Sequence, residues 1–105
     1  MDERKVDFGS LEWRAPLPCA RYKASQQDGR QLRLVELAKG FAEPDWCTKG
    51  HVGYVLEGEM DVDFDGKIVR FSAGDGLMIP KGQENRHNAR VITDVVKMIL
   101  VEDAE

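Results

Sequence analysis

The stretch Met60-Asp61-Val62-Asp63-Phe64-Asp65-Gly66-Lys67-Ile68-Val69-Arg70-Phe71 decides the fold class. Met60, Val62 and Phe64 alternate with three aspartates. Successive side chains of a strand point to opposite faces, so this predicts one apolar and one acidic face. Asp65-Gly66 is a preferred two-residue hairpin turn, because both positions tolerate φ > 0. Lys67 to Phe71 then returns as the partner strand, with Lys67 and Arg70 placed to pair with the aspartates. A one-residue slip would bury three carboxylates, so the register is predicted with Met60, Val62 and Phe64 inward.

Further strands are expected on either side of this hairpin. Gln31 to Ala38 and Val52 to Leu56 are short and rich in β-formers, and Leu77-Met78-Ile79 reads as a short buried strand. Asn85 to Ile92 and Val95 to Val101 are two more, split near Thr93-Asp94. Turns fall at Gln26-Gln27-Asp28-Gly29, Lys39-Gly40, Glu57-Gly58, Ala73-Gly74-Asp75-Gly76 and Pro80-Lys81-Gly82. No stretch keeps a 3.6-residue apolar period. Many short strands at regular spacing predict an all-β barrel or sandwich. The 105 residues make one domain by length. Residues 1–30, broken by Pro16 and Pro18, are expected to form an N-terminal arm or edge strand.

Composition narrows the function classes. Fifteen Lys and Arg against nineteen Asp and Glu give a net charge of −4, with no basic block to displace counterions, so no nucleic-acid partner is expected. The longest apolar run, Met98 to Val101, is far too short to span a bilayer, so no membrane role is expected. The charged start shows no secretory signal, and Cys19 and Cys47 cannot make a disulfide framework. The expectation is a cytoplasmic protein with two free thiols. Asp61 to Gly66 matches the opening of an EF-hand loop. The twelfth position is Ser72 and the flanks are strands, so an acidic strand face is the better reading.

Punctuation with fixed spacing carries a family resemblance. His51-Val52-Gly53-Tyr54-Val55-Leu56-Glu57-Gly58 is followed by Gly74-Asp75-Gly76-Leu77-Met78-Ile79-Pro80-Lys81-Gly82. Together they resemble the two motifs of the cupin superfamily, over roughly residues 40–101. The resemblance implies a single-domain, antiparallel, jelly-roll β-barrel. It also implies a divalent metal inside that barrel, but none of the four usual ligand residues is in place. The first His pair falls on Asp45 and Cys47, the acidic slot on His51 and the last His slot on Asn85. Asp45, Cys47 and His51 are still possible ligands. His87 lies two residues past Asn85, on the same face if both are in a strand.

Four readings of the site follow. In the leading one, a metal-free pocket lined by Cys47, His51, Tyr54, Asn85 and His87 binds a small polar ligand. In the second, Asp45, Cys47, His51 and His87 hold a metal for an isomerase, oxygenase or lyase. A thiolate with imidazoles favours zinc, whereas Asp45 with the two histidines would suit iron, manganese or nickel. Cys47 as a nucleophile with His51 as its base is a third reading. A structural module with an unused pocket is a fourth. Trp46 should face away from Cys47, and Met60, Met78 and Met98 are expected to fill the core. A homodimer is expected, with Trp13 and the N-terminal arm covering a partner's strand edge.

Overall fold

The computed structural model describes residues 2–104, and among them the regular structure is almost all strand. The strands are β1 (Arg14–Leu17), β2 (Ala20–Gln27), β3 (Arg30–Ala38), β4 (His51–Glu57), β5 (Glu59–Phe64), β6 (Lys67–Ser72), β7 (Gly76–Ile79), β8 (Asn88–Val91) and β9 (Val95–Asp103). One sheet runs β1-β2-β3-β9-β4-β7 and the other β6-β5-β8, with every pair antiparallel. The chain is a two-sheet antiparallel barrel. No helix among the described residues is long and apolar enough to cross a membrane.

The hairpin has the predicted register. Phe64 pairs with Lys67 around a turn in which Asp65 has φ +56° and Gly66 φ +105°. Both values are positive, as a two-residue hairpin turn requires. Met60 and Val62 are buried, and Phe64 packs against the core. On the other face Arg70 donates two hydrogen bonds to Asp61, at 2.8 and 3.0 Å. Among the described residues Lys67 makes no such pair; Arg86 instead pairs with Asp65 at 2.5 Å.

Two expectations need correction. Met78 does not fill the core: it is 84% exposed, because Leu77 and Ile79 take the inward positions of β7. The strand expected from Asn85 starts only at Asn88. Gly82, at φ +124°, turns the chain into a short 3-10 segment over Gln83–Asn85. Residues 1–30 supply the expected edge strand and also an interior one. β1 is the edge of the larger sheet, but β2 lies one strand in and pairs with β3 over its whole length.

The paired strands β3 and β9 give the interior a polarity. Their inward pairs run Leu37 with Val96, Val35 with Met98, Arg33 with Leu100 and Gln31 with Glu102. The barrel is therefore apolar at one end and hydrogen-bonding at the other. Gly58 closes the apolar end. It has φ +85°, and a Cβ there would overlap the Val95 carbonyl oxygen and lie 2.8 Å from Thr93 Oγ1. Gly58→Ala should combine backbone strain of about 1–3 kcal/mol with overpacking of about 1–3 kcal/mol. Gly66→Ala meets nothing within 4 Å and should show the strain alone. Urea unfolding of the two variants checks this; equal losses would rule out the close approach at Gly58.

Candidate metal centre

Residues 42–47 run beside β8 and extend the smaller sheet. Ala42 bridges Arg90 and Cys47 bridges His87. The Cys47 N–H donates to the His87 carbonyl at 2.8 Å, and the His87 N–H returns to the Cys47 carbonyl at 2.9 Å. Directly paired residues of adjacent strands share a face, so both side chains point into the barrel. His51 opens β4 opposite Ile79 and shares the inward parity of Val55. Three segments thus bring three donors to one place. The ligand atoms of Cys47, His51 and His87 all lie within 4.8 Å of one another.

The outer nitrogen of each imidazole is already engaged. The Nδ1–H of His51 donates to Glu102 Oε2 in a short contact. The Nδ1–H of His87 donates to the Asn85 carbonyl at 3.0 Å. A carbonyl can only accept, so the proton of a neutral His87 sits on Nδ1 and its Nε2 keeps a lone pair. His51 Nε2 lies 3.7 Å from Cys47 Sγ. His87 is 3% exposed, and its Nε2 is the one buried side-chain polar atom without a partner among the described residues. Such an atom is costly unless something binds it.

Behind His51 lies a polar network. Glu102 accepts two hydrogen bonds from Arg33, at 2.6 and 2.8 Å, and one from Gln31 at 3.2 Å. Gln26 in turn donates to Gln31 at 3.0 Å. Burial would raise the Glu102 carboxyl, but its bonds to His51 and Arg33 bring it down to about 2. Burial would lower His51, but Cys47 and Glu102 hold it up at about 9. The His51 ring nitrogen beside it, and then the nearby His87 imidazole, draw the Cys47 thiol down to about 5, helped by the Lys49 backbone N–H. His87 is raised, chiefly by Cys47. Without a metal, His51 therefore shares its proton with the Cys47 thiolate, and His87 Nε2 stays without a partner.

The centre opens into a cavity of about 190 Å³. Glu43 lines it and accepts a hydrogen bond from the Ala89 N–H at 3.0 Å; burial pushes its carboxyl up. Three sequence candidates lie elsewhere. Asp45 is exposed, and its backbone carbonyl is bound by Asn88. Its side chain stands outside the donor cluster, so the Asp45 ligand set with iron, manganese or nickel loses its carboxylate. Tyr54 is 47% exposed because it is three residues from His51 on the same strand, and so on the opposite face. Asn85 contributes its carbonyl to His87; the 3-10 turn separates it from the strand they were expected to share. Trp46 faces outward, with Arg86 6.0 Å above its ring. Cys19 and Cys47 are both free thiols.

Sequence reading missed Glu102, Arg33 and Glu43. Glu102 had a signal: it continues the inward series Val96, Met98, Leu100.

A family profile described as a cupin domain matches residues 33–102. Solved structures share the fold at low identity. A protein of unknown function from Rhizobium leguminosarum has a TM-score of 0.77 at 20% identity, over the whole of both chains. KdgF from a Halomonas species has a TM-score of 0.73 at 21% identity, covering 92% of each chain. The polyketide cyclase RemF from Streptomyces resistomycificus has a TM-score of 0.77 at 18% identity, covering 96% of this chain and 79% of its own. No curated protein matches the chain.

Proposed function

We propose that this chain, which belongs to the cupin domain family, holds one divalent transition metal on Cys47, His51 and His87 and presents it to a small molecule in the barrel. One observation carries the reading. Both Nδ1 atoms are tied off by Glu102 and the Asn85 carbonyl, so both Nε2 atoms are left to converge on the Cys47 sulfur. Metal-binding histidines characteristically donate the other ring N–H to a carboxylate or carbonyl. A thiolate with two imidazoles suits zinc, and three protein ligands leave a position open, as in catalytic rather than structural sites. The metal, when bound, would supply Lewis acidity and lower the pKa of a bound water. The protein's own groups hold the site in shape. Glu102 fixes the His51 tautomer, Arg33 keeps Glu102 ionised, and the apolar wall limits water.

A second reading has Cys47 as a nucleophile. The chain Cys47–His51–Glu102 has the order of a nucleophile, its base and an orienting carboxylate. The same measurement separates the two. Elemental analysis of protein purified without an affinity tag should find about one transition-metal ion per chain, zinc foremost. Metal-free protein that takes up no added zinc would overturn the metal centre and favour the thiolate.

A further inference from the structure

We propose that the molecule admitted to this cavity has a compact apolar body, about the size of one six-membered ring, with a single hydroxyl or carbonyl oxygen directed at Cys47, His51 and His87. The direction of the ligand's polar end rests on the metal centre proposed above, whereas its apolar body and size rest on the cavity alone. Sequence alone favoured a polar ligand, whereas the wall of the cavity is apolar. Val35, Phe41, Val62, Leu77, Met98 and Leu100 are among its lining residues, and all are buried.

Size sets the first limit. A closed apolar cavity of roughly 150 Å³ takes up benzene, so about 190 Å³ accepts one ring and a few further atoms. Hydrogen-bonding capacity sets the second. Glu102 is occupied by Arg33, Gln31 and His51, and Arg33 spends two of its donors on Glu102. Arg21, also on the wall, gives two donors to Glu36, and Glu43 accepts from the Ala89 N–H. Among the described residues, His87 Nε2 is the buried side-chain polar atom left over, and it belongs to the centre. A polyhydroxylated ring would bring several hydroxyls into a wall whose other polar residues are Tyr22 and Lys49. Each buried hydroxyl without a partner costs roughly 1–3 kcal/mol.

Cyclohexanol and myo-inositol test this, because they share one ring and differ in their number of hydroxyls. Both are titrated calorimetrically into the full chain, metal-free and zinc-loaded. Cyclohexanol should bind at least about thirtyfold more tightly than inositol, the discrimination expected from two or more unpaired hydroxyls. Ala89→Leu, which adds side-chain volume to the cavity wall, should abolish cyclohexanol binding while leaving zinc uptake intact. Inositol binding as tightly as cyclohexanol would overturn the ligand class, as would zinc uptake with no cyclohexanol binding in either form. If cyclohexanol binds but zinc does not, the ligand class stands and the metal reading fails. Should Ala89→Leu not fold, the comparison of the two alcohols on the unaltered chain still decides.

Discussion

Glu102→Gln should be among the most destabilising single substitutions in the metal-free protein. Glu102 is almost wholly buried, and its charge faces both Arg33 and His51. Removing one partner of a buried ion pair typically costs about 3–5 kcal/mol, because the other charge stays behind unpaired. A domain of this size has a total stability of about 5–15 kcal/mol, and each kcal/mol moves its melting temperature by about 4–8 °C. The expected fall therefore exceeds about 10 °C in a thermal scan. Asp61→Asn is the control. It breaks an equally bidentate pair, but Arg70 is half exposed, and surface pairs contribute about 0–1 kcal/mol. Equal losses from the two variants would show that burial does not set the value of the Glu102 network.

The same network gives the metal-free protein a stability window. Glu102 sits at about 2, below its ordinary 4.5. Its contribution is present above pH 4.5 and is lost as pH falls toward 2. His51 sits at about 9, above its ordinary 6.5. Its contribution is present below pH 6.5 and is lost as pH rises through 9. Glu102→Gln should flatten the acid limb, since the group that must be protonated there is gone.

Cys47→Ser should produce the largest loss of metal affinity. Orienting residues outside the ligand set typically change metal affinity by about 10–100-fold. Removal of the thiolate itself should exceed that range, because a serine hydroxyl does not ionise near neutral pH. Zinc competition against a chromophoric chelator measures it, with Glu102→Gln as the orienting comparison. The backbone pairing of Cys47 with His87 does not involve the side chain, so the barrel should remain folded. A serine variant that binds zinc as tightly as the parent would remove Cys47 from the centre.

The hairpin and its register were legible because alternation of aspartate with apolar residues allows one burial pattern. Turn glycines were legible for a similar local reason: Gly58, Gly74 and Gly82 all have positive φ. The positions of Cys47 and His51 followed from spacing; His87 was reached through a strand shared with Asn85 that does not form, and its backbone pairing with Cys47 is what brings it to the centre. Parity excluded Tyr54, three residues from His51, and could have been applied to it directly. Asn85 was harder, because the 3-10 turn that takes it off the strand depends on a backbone reversal at Gly82. Parity along β9 marked Glu102 as inward, but its pairing with Arg33 was hidden by distance along the chain. Arg33 looks like an ordinary charged strand residue until β3 and β9 are paired and both point inward.

Cobalt substitution tests the central claim most directly, because the spectrum reports both the thiolate and the number of ligands. One equivalent of cobalt(II) added to the metal-free chain should give a sulfur-to-cobalt charge-transfer band and the strong visible absorption of a four-coordinate ion. The charge-transfer band should be absent from Cys47→Ser. A weak six-coordinate spectrum, the same in both proteins, would contradict a metal centre built on Cys47, His51 and His87.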